Sequence, residues 1–215
     1  MAKQDRAIRT RQAILMAAAE VFEKYGYQAA TITEILKIAG VTKGALYFHF
    51  PSKEELALGV IEAQEPPAPT PDQLLKLQKL VDMGMLFSHR LHTSLLTRAG
   101  VRLSMDQQAQ GLDRTGPFLR WQRTTHDLLA QAKQNGELLP HVNPTETADV
   151  YVAAFTGIQA VSQTLTNYRD LEQRYITLQR HILPSIAAPS ILTALDLSPQ
   201  RTTDLARLAR LAPAY

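Results

Sequence analysis

"TITEILKIAGVTKGALYFHF", residues 31–50, decides the fold. Ile32, Ile35, Leu36 and Ala39 recur at helical spacing. Thr31, with Glu34 three residues on, is a capping box at the helix start. Gly40 is the stop. Thr42 then stands as the cap of a second, shorter helix to about Phe48. Two short helices joined through a glycine turn have the layout of a helix-turn-helix. In that motif the second helix enters the major groove of DNA and its first turn meets the base edges.

The residues of that first turn suit the task. Thr42, Lys43, Gly44 and Ala45 supply a hydroxyl, a long cation, a bare backbone position and a methyl group able to meet thymine. Gly44 costs about 1 kcal/mol relative to alanine inside a helix, which makes sense where a phosphate or base edge must come close. Tyr47 and His49 are expected to donate to phosphates, with Thr33 on the first helix also at the DNA. Leu46, Phe48 and Phe50 are expected to alternate towards the small core. Lys3, Arg6, Arg9 and Arg11 against Asp5 give the first twelve residues +3, as large as the excess of the whole chain. Arg6 in this arm and Lys53 at the next helix are the expected phosphate contacts, which orient rather than specify. The competing view is a generic three-helix core with a solvated basic arm.

Outward from this stretch the chain reads as all-α. A helix runs from Arg6 to Tyr25 and stops at Gly26. Ser52 caps "KEELALGVIEAQ", with Glu54 and Glu55 favourably placed in its first turn. "EPPAPTPD", residues 65–72, holds four prolines and reads as a stiff connector. Further helices are expected over Asp72 to His92, Ala99 to Gln107, Phe118 to Asn135, Pro144 to Asn167 and Asp170 to Leu183. The expected organisation is a helix-turn-helix domain at 1–52, a connecting helix at 53–65 and a larger helical domain at 66–215. No internal repeat is evident.

Composition removes several function classes. With no cysteine, disulfides and thiolate catalysis are excluded. No signal peptide or membrane span is read, so a soluble, cytoplasmic protein is expected. His89 and His92 are three apart on one helix, but no acidic or thiol partner completes a metal site. Nucleophile elbow, phosphate loop and dinucleotide fingerprint are all missing. The expectation is a non-enzyme without metal or cofactor.

The quoted stretch, continued through "PSKEELALGVIEAQ", resembles the DNA-binding domain of the tetracycline-repressor (TetR) family. The matching positions are Thr31, Ile35, Ala39, Gly40, Val41, Thr42, Gly44, Leu46, Tyr47, His49, Phe50, Lys53, Glu54 and Leu56; Leu36 replaces the usual alanine. The resemblance implies a homodimer that binds double-stranded operator DNA of pseudo-palindromic sequence. It also implies a second domain that binds a small molecule.

In the larger domain Met85, Phe87, Phe118, Trp121 and Phe155 can line an apolar site. Gln64, Thr156 and Gln159 can supply sparse hydrogen bonds, a mixture suited to a neutral ligand with a few oxygens. Val81 completes the candidate set. The bland alternative is that such a stripe at helical spacing is plain core. Residues 98–122, 135–165 and the C-terminal "LQRHILPSIAAPSILTALDLS" resemble the γ-butyrolactone autoregulator receptors of filamentous actinobacteria. That resemblance implies a repressor of antibiotic-production and differentiation genes, released by a γ-butyrolactone or a butenolide. It places Trp121 in the pocket, with Gln64 and Thr156 as partners of a lactone or hydroxyl. Some relatives of this kind respond to antibiotics or other small apolar ligands instead. The dimer surface is expected on the helices at 144–167 and 170–183. Val150, Ala154, Ile158 and Val161 of the first would face Leu171, Tyr175, Leu178 and Ile182 of the second.

Overall fold

The computed structural model describes residues 2–64, 72–109 and 111–211. The proline-rich connector falls outside them, apart from Asp72. The regular elements among the described residues are α-helices: α1 (Ala2–Ala29), α2 (Ile32–Ala39), α3 (Lys43–His49), α4 (Lys53–Glu62), α5 (Lys76–Thr93), α6 (Leu95–Met105), α7 (Thr115–Gln134), α8 (Pro144–Thr166), α9 (Leu171–Ile186), α10 (Pro189–Leu192) and α11 (Pro199–Leu211). None is long and apolar enough to cross a membrane. The protein is all-α, and its contacts divide it into two compact units. The first comprises Met1–Pro66 and Ser94–Pro117, the second Pro67–Thr93 and Phe118–Tyr215. A cut at 65/66, as read from the prolines, leaves 94–117 with the larger domain; by contact they group with the first unit.

In the first unit α1 is the spine. Gly26 interrupts it at φ 74°, a left-handed conformation that favours glycine. Gly40 at φ 64° turns the chain between α2 and α3. The three expected caps all form: the side chains of Thr31, Thr42 and Ser52 accept from the amides of Glu34, Ala45 and Glu55 at 3.2, 3.2 and 3.0 Å. Ile14, Ala18, Phe22, Ile35, Leu46, Phe50, Leu56 and Val60 share one core. Phe48, expected in that core, is instead 81% exposed. Leu46 and Phe50 are one helical turn apart and share a face; Phe48, between them, lies on the other side.

Residues of α6 close this unit by packing on α1 and α4. A Cβ on Gly100 would fall 2.8 Å from Gln64 Cβ and 2.9 Å from the Val60 carbonyl oxygen, so α4 and α6 cross closely only because of glycine. A polar seam joins α1 to α6: Arg98 pairs with Glu23, and Arg102 donates to the Glu23 carbonyl. Just past α6, Asp106 accepts from the Tyr27 amide at 3.2 Å.

The second unit is organised on α5, α8 and α9. Gly84 faces the Tyr175 ring and His89 Nδ1 lies 3.0 Å from Glu172 Oε1, so α5 and α9 run antiparallel. Helix α5 begins at Lys76 rather than Asp72 because Glu137 fixes its start. That buried carboxylate accepts from the amides of Lys76 and Leu77, each at 2.9 Å. Helix α9 continues past Leu183 to Ile186, and α10 and α11 add two elements beyond the sequence reading. Arg201 of α11 grips the fully buried Asp82 of α5 through two hydrogen bonds of 2.5 and 2.7 Å. Gln78 adds a third at 2.8 Å, so the buried charge is paired and bonded. Leu171 and Tyr175, expected on a partner-facing surface, are wholly buried in this unit's own interior.

Candidate functional site

The caps of α2, α3 and α4 set the geometry of a basic face in the first unit. Thr42, Lys43, Gly44, Tyr47 and Thr33 are exposed, while Ala45 and His49 are half-buried. The Thr42 hydroxyl serves as the cap of α3. Lys43 Nζ lies 5.9 Å from the Tyr47 ring centroid, which leaves its head in solvent. A Cβ on Gly44 would meet nothing within 4 Å, so no neighbour in this chain demands the missing side chain. Whatever uses that bare backbone comes from outside. Arg6 is exposed on α1, and Arg11 stacks on Phe50 with its guanidinium carbon 4.9 Å from the ring centroid.

Lys53 is held more tightly than a free phosphate contact requires. Its ammonium donates to the Gln28 carbonyl at 3.2 Å and lies 4.8 Å from the Tyr27 ring centroid. Partial burial draws its pKa below the ordinary lysine value. It ties the start of α4 to the end of α1 and keeps two further protons for another partner.

In the second unit an aromatic row forms. Trp121 and Phe87 have ring centroids 4.9 Å apart, Phe87 and Phe155 are 5.8 Å apart, and Phe155 meets Tyr175 edge-on at 5.6 Å. Trp121 and Phe155 are half-buried, whereas Phe87, Val81 and Met85 are buried. The Thr156 hydroxyl donates to the Val152 carbonyl of its own helix at 2.9 Å, which leaves only its acceptor capacity. Gln159 is buried. Phe118 is 38% exposed. Gln64, grouped by contact with the first unit, is buried and donates to Ser104 Oγ at 3.4 Å.

Two tyrosines stand at the polar end of this row. Tyr151 and Tyr175 have hydroxyls 2.6 Å apart, and Tyr175 also donates to the Val81 carbonyl at 3.2 Å. Burial pushes both phenols well above the ordinary tyrosine value, so they stay protonated at neutral pH. Gln179 lies one turn beyond Tyr175. Its signal in the sequence was a lone amide on the inward stripe Leu171, Tyr175, Gln179, Leu183.

An exposed polar first turn on a capped short helix that follows a second capped helix through a glycine turn is the layout of a helix-turn-helix. Residues 14–60 match the family described as bacterial regulatory proteins, tetR family. The chain is 41% identical over 210 residues to the A-factor receptor protein of Streptomyces griseus, covering 98% of this chain and 75% of that one. The crystal structure of TylP, a TetR regulator from Streptomyces fradiae, superposes with a TM-score of 0.88 at 43% identity, covering 95% of this chain and 99% of that one. A γ-butyrolactone receptor described as ArpA-like superposes with a TM-score of 0.69 at 27% identity, covering 97% of this chain and all of that one. The chain belongs to the TetR family of transcriptional regulators. It is not an enzyme.

Proposed function

We propose that this regulator is a repressor that binds a pseudo-palindromic operator as a homodimer and is released by a γ-butyrolactone or butenolide. The observation that carries the ligand class is the 41% identity to an A-factor receptor along nearly the whole chain, larger domain included. The half-buried Trp121 beside Phe87 supports it: an indole packed on one side offers its other surface to an apolar ligand face.

On the DNA side, Lys43 reads a base edge, with Thr42, Gly44 and Ala45 beside it. Arg6, Thr33, Tyr47, His49 and Lys53 hold the backbone. Dimerisation draws support from α8, where Val150, Val161 and Leu165 are 64%, 45% and 67% exposed. An apolar face of that kind is costly in water and suits a second copy. Control of antibiotic production is the matching biological role.

The experiment is a gel shift with the full-length protein, a palindromic duplex and graded γ-butyrolactone. A retarded band that the lactone dissolves supports the reading. A band released only by an antibiotic supports the alternative ligand class.

A further inference from the structure

Gln179 of α9 is wholly buried, and neither its Oε1 nor its Nε2 completes a hydrogen bond. A primary amide carries two donors and an acceptor, and buried polar groups without partners are rare enough to call for a reason. Ser88 and Thr125 also bury unpartnered hydroxyls. A hydroxyl within a helix can rotate onto the carbonyl four residues back, but an amide cannot satisfy both its ends in that way. Gln179 is therefore the more informative case.

Its surroundings define what it faces. Tyr175, one turn earlier, donates to the Val81 carbonyl, so the proton between the two phenols comes from Tyr151. The Tyr151 oxygen keeps its lone pairs. Gln179 stands beside that hydroxyl, and neither end of its amide completes a hydrogen bond there. Phe155, one turn from Tyr151, carries the contact on to Phe87 and Trp121. The amide and the Tyr151 hydroxyl thus stand at the end of a row of rings whose other members offer hydrocarbon.

We propose that the Gln179 amide, beside Tyr151, is the polar recognition point of the ligand site and takes a neutral group carrying a hydroxyl donor next to a carbonyl acceptor. The amide nitrogen donates to the carbonyl while the amide oxygen accepts from the hydroxyl. Both neighbouring phenols are neutral, and Asp82, the anion that acts on Tyr175, is already engaged by Arg201. A charged ligand group would lose its hydration there without gaining a counter-charge. The assignment rests on the ligand-responsive reading above and specifies which end of the ligand is read.

The test uses the full-length protein and the fluorescence of Trp121, the single tryptophan. The probes are 2-hexanoyl-3-hydroxymethyl-γ-butyrolactone and its methyl ether, which lacks the donor. The parent is expected to prefer the free hydroxyl by about tenfold, the scale of one neutral hydrogen bond in a dry site. Gln179→Leu should bind both probes alike and melt at or above the parent temperature. If the leucine variant does not fold, Gln179→Met, also close in volume, is read in the same way. A variant that keeps the tenfold preference overturns the assignment, as does a parent without any preference. Raised stability with unchanged binding would mean that the amide holds only an internal water. A parent that binds neither probe overturns the lactone reading itself, and this assignment falls with it.

Discussion

The Tyr175 ring occupies the space that a side chain on Gly84 would need: a Cβ there would lie 2.6 Å from Tyr175 Cε2 and closer still to Cζ and Oη. This single contact fixes how closely α5 and α9 approach, and it anchors the hydroxyl pair and the aromatic row. Gly84→Ala should therefore destabilise the second unit by roughly 1–3 kcal/mol, the cost of overpacking. Thermal melting measures the loss. A melting temperature equal to the parent's would show that the ring moves aside freely.

Leu46 and Phe48 should answer mutation in opposite ways. Leu46 is fully buried, so Leu46→Ala is expected to cost about 2–5 kcal/mol. Phe48, largely in solvent, should change stability by only about 0.5 kcal/mol on replacement by alanine. Chemical denaturation of both variants checks the ordering.

Lys43→Ala should relax base preference at one position of each half-site, since a good side-chain contact to guanine supplies roughly 1–3 kcal/mol of discrimination. Lys53→Ala should weaken cognate and unrelated duplexes alike and reduce the salt slope by about one unit. It should also lower the melting temperature, because Lys53 bridges α4 to Gln28 and Tyr27. Binding titrations at several salt concentrations separate the two roles.

Asp170 gives a pH signature. Hydrogen bonds from Arg174 at 2.8 Å, Ser162 at 2.5 Å and Thr166 at 2.7 Å hold its carboxyl well below the usual aspartate range. A depressed folded-state pKa means that its contribution is complete above the unfolded value of about 3.9 and is lost as pH falls further. Asp170→Asn should therefore lower the melting temperature at neutral pH, with the gap closing below about pH 4. A gap that persists unchanged into strong acid would contradict the assignment.

The helix-turn-helix was legible because its signals are local. Each cap joins residues three apart, from Thr31 to Glu34, Thr42 to Ala45 and Ser52 to Glu55. Phe48 was misplaced because alternation is the period of a strand, whereas the buried residues are Leu46 of α3 and Phe50 at its C-cap, one turn apart. The larger unit was less legible for a different reason. Asp82 is a buried acid whose partner, Arg201, lies 119 residues away, and no local pattern announces such a pair. The Tyr151 and Tyr175 hydroxyls, 24 residues apart in the chain, meet only because α8 and α9 pack together.

Trp121→Ala should yield a folded repressor that holds its operator and no longer lets go. Removing a ligand wall lowers lactone affinity, and a weakly bound ligand cannot favour the DNA-free state at ordinary concentrations. Were Trp121 plain core, its loss would cost about 3–5 kcal/mol. Melting curves recorded beside the release assay distinguish the two.

The central claim is that one small neutral molecule controls one DNA-binding face. It is tested most directly by titrating the full-length protein, bound to a palindromic duplex, with 2-hexanoyl-3-hydroxymethyl-γ-butyrolactone while the retarded fraction is followed. The account predicts a dimer-sized complex that dissociates as the lactone saturates, with the Trp121→Ala complex persisting at the same concentration. A protein that retards no palindromic duplex at low salt, or a complex that neither lactones nor butenolides release, would contradict it.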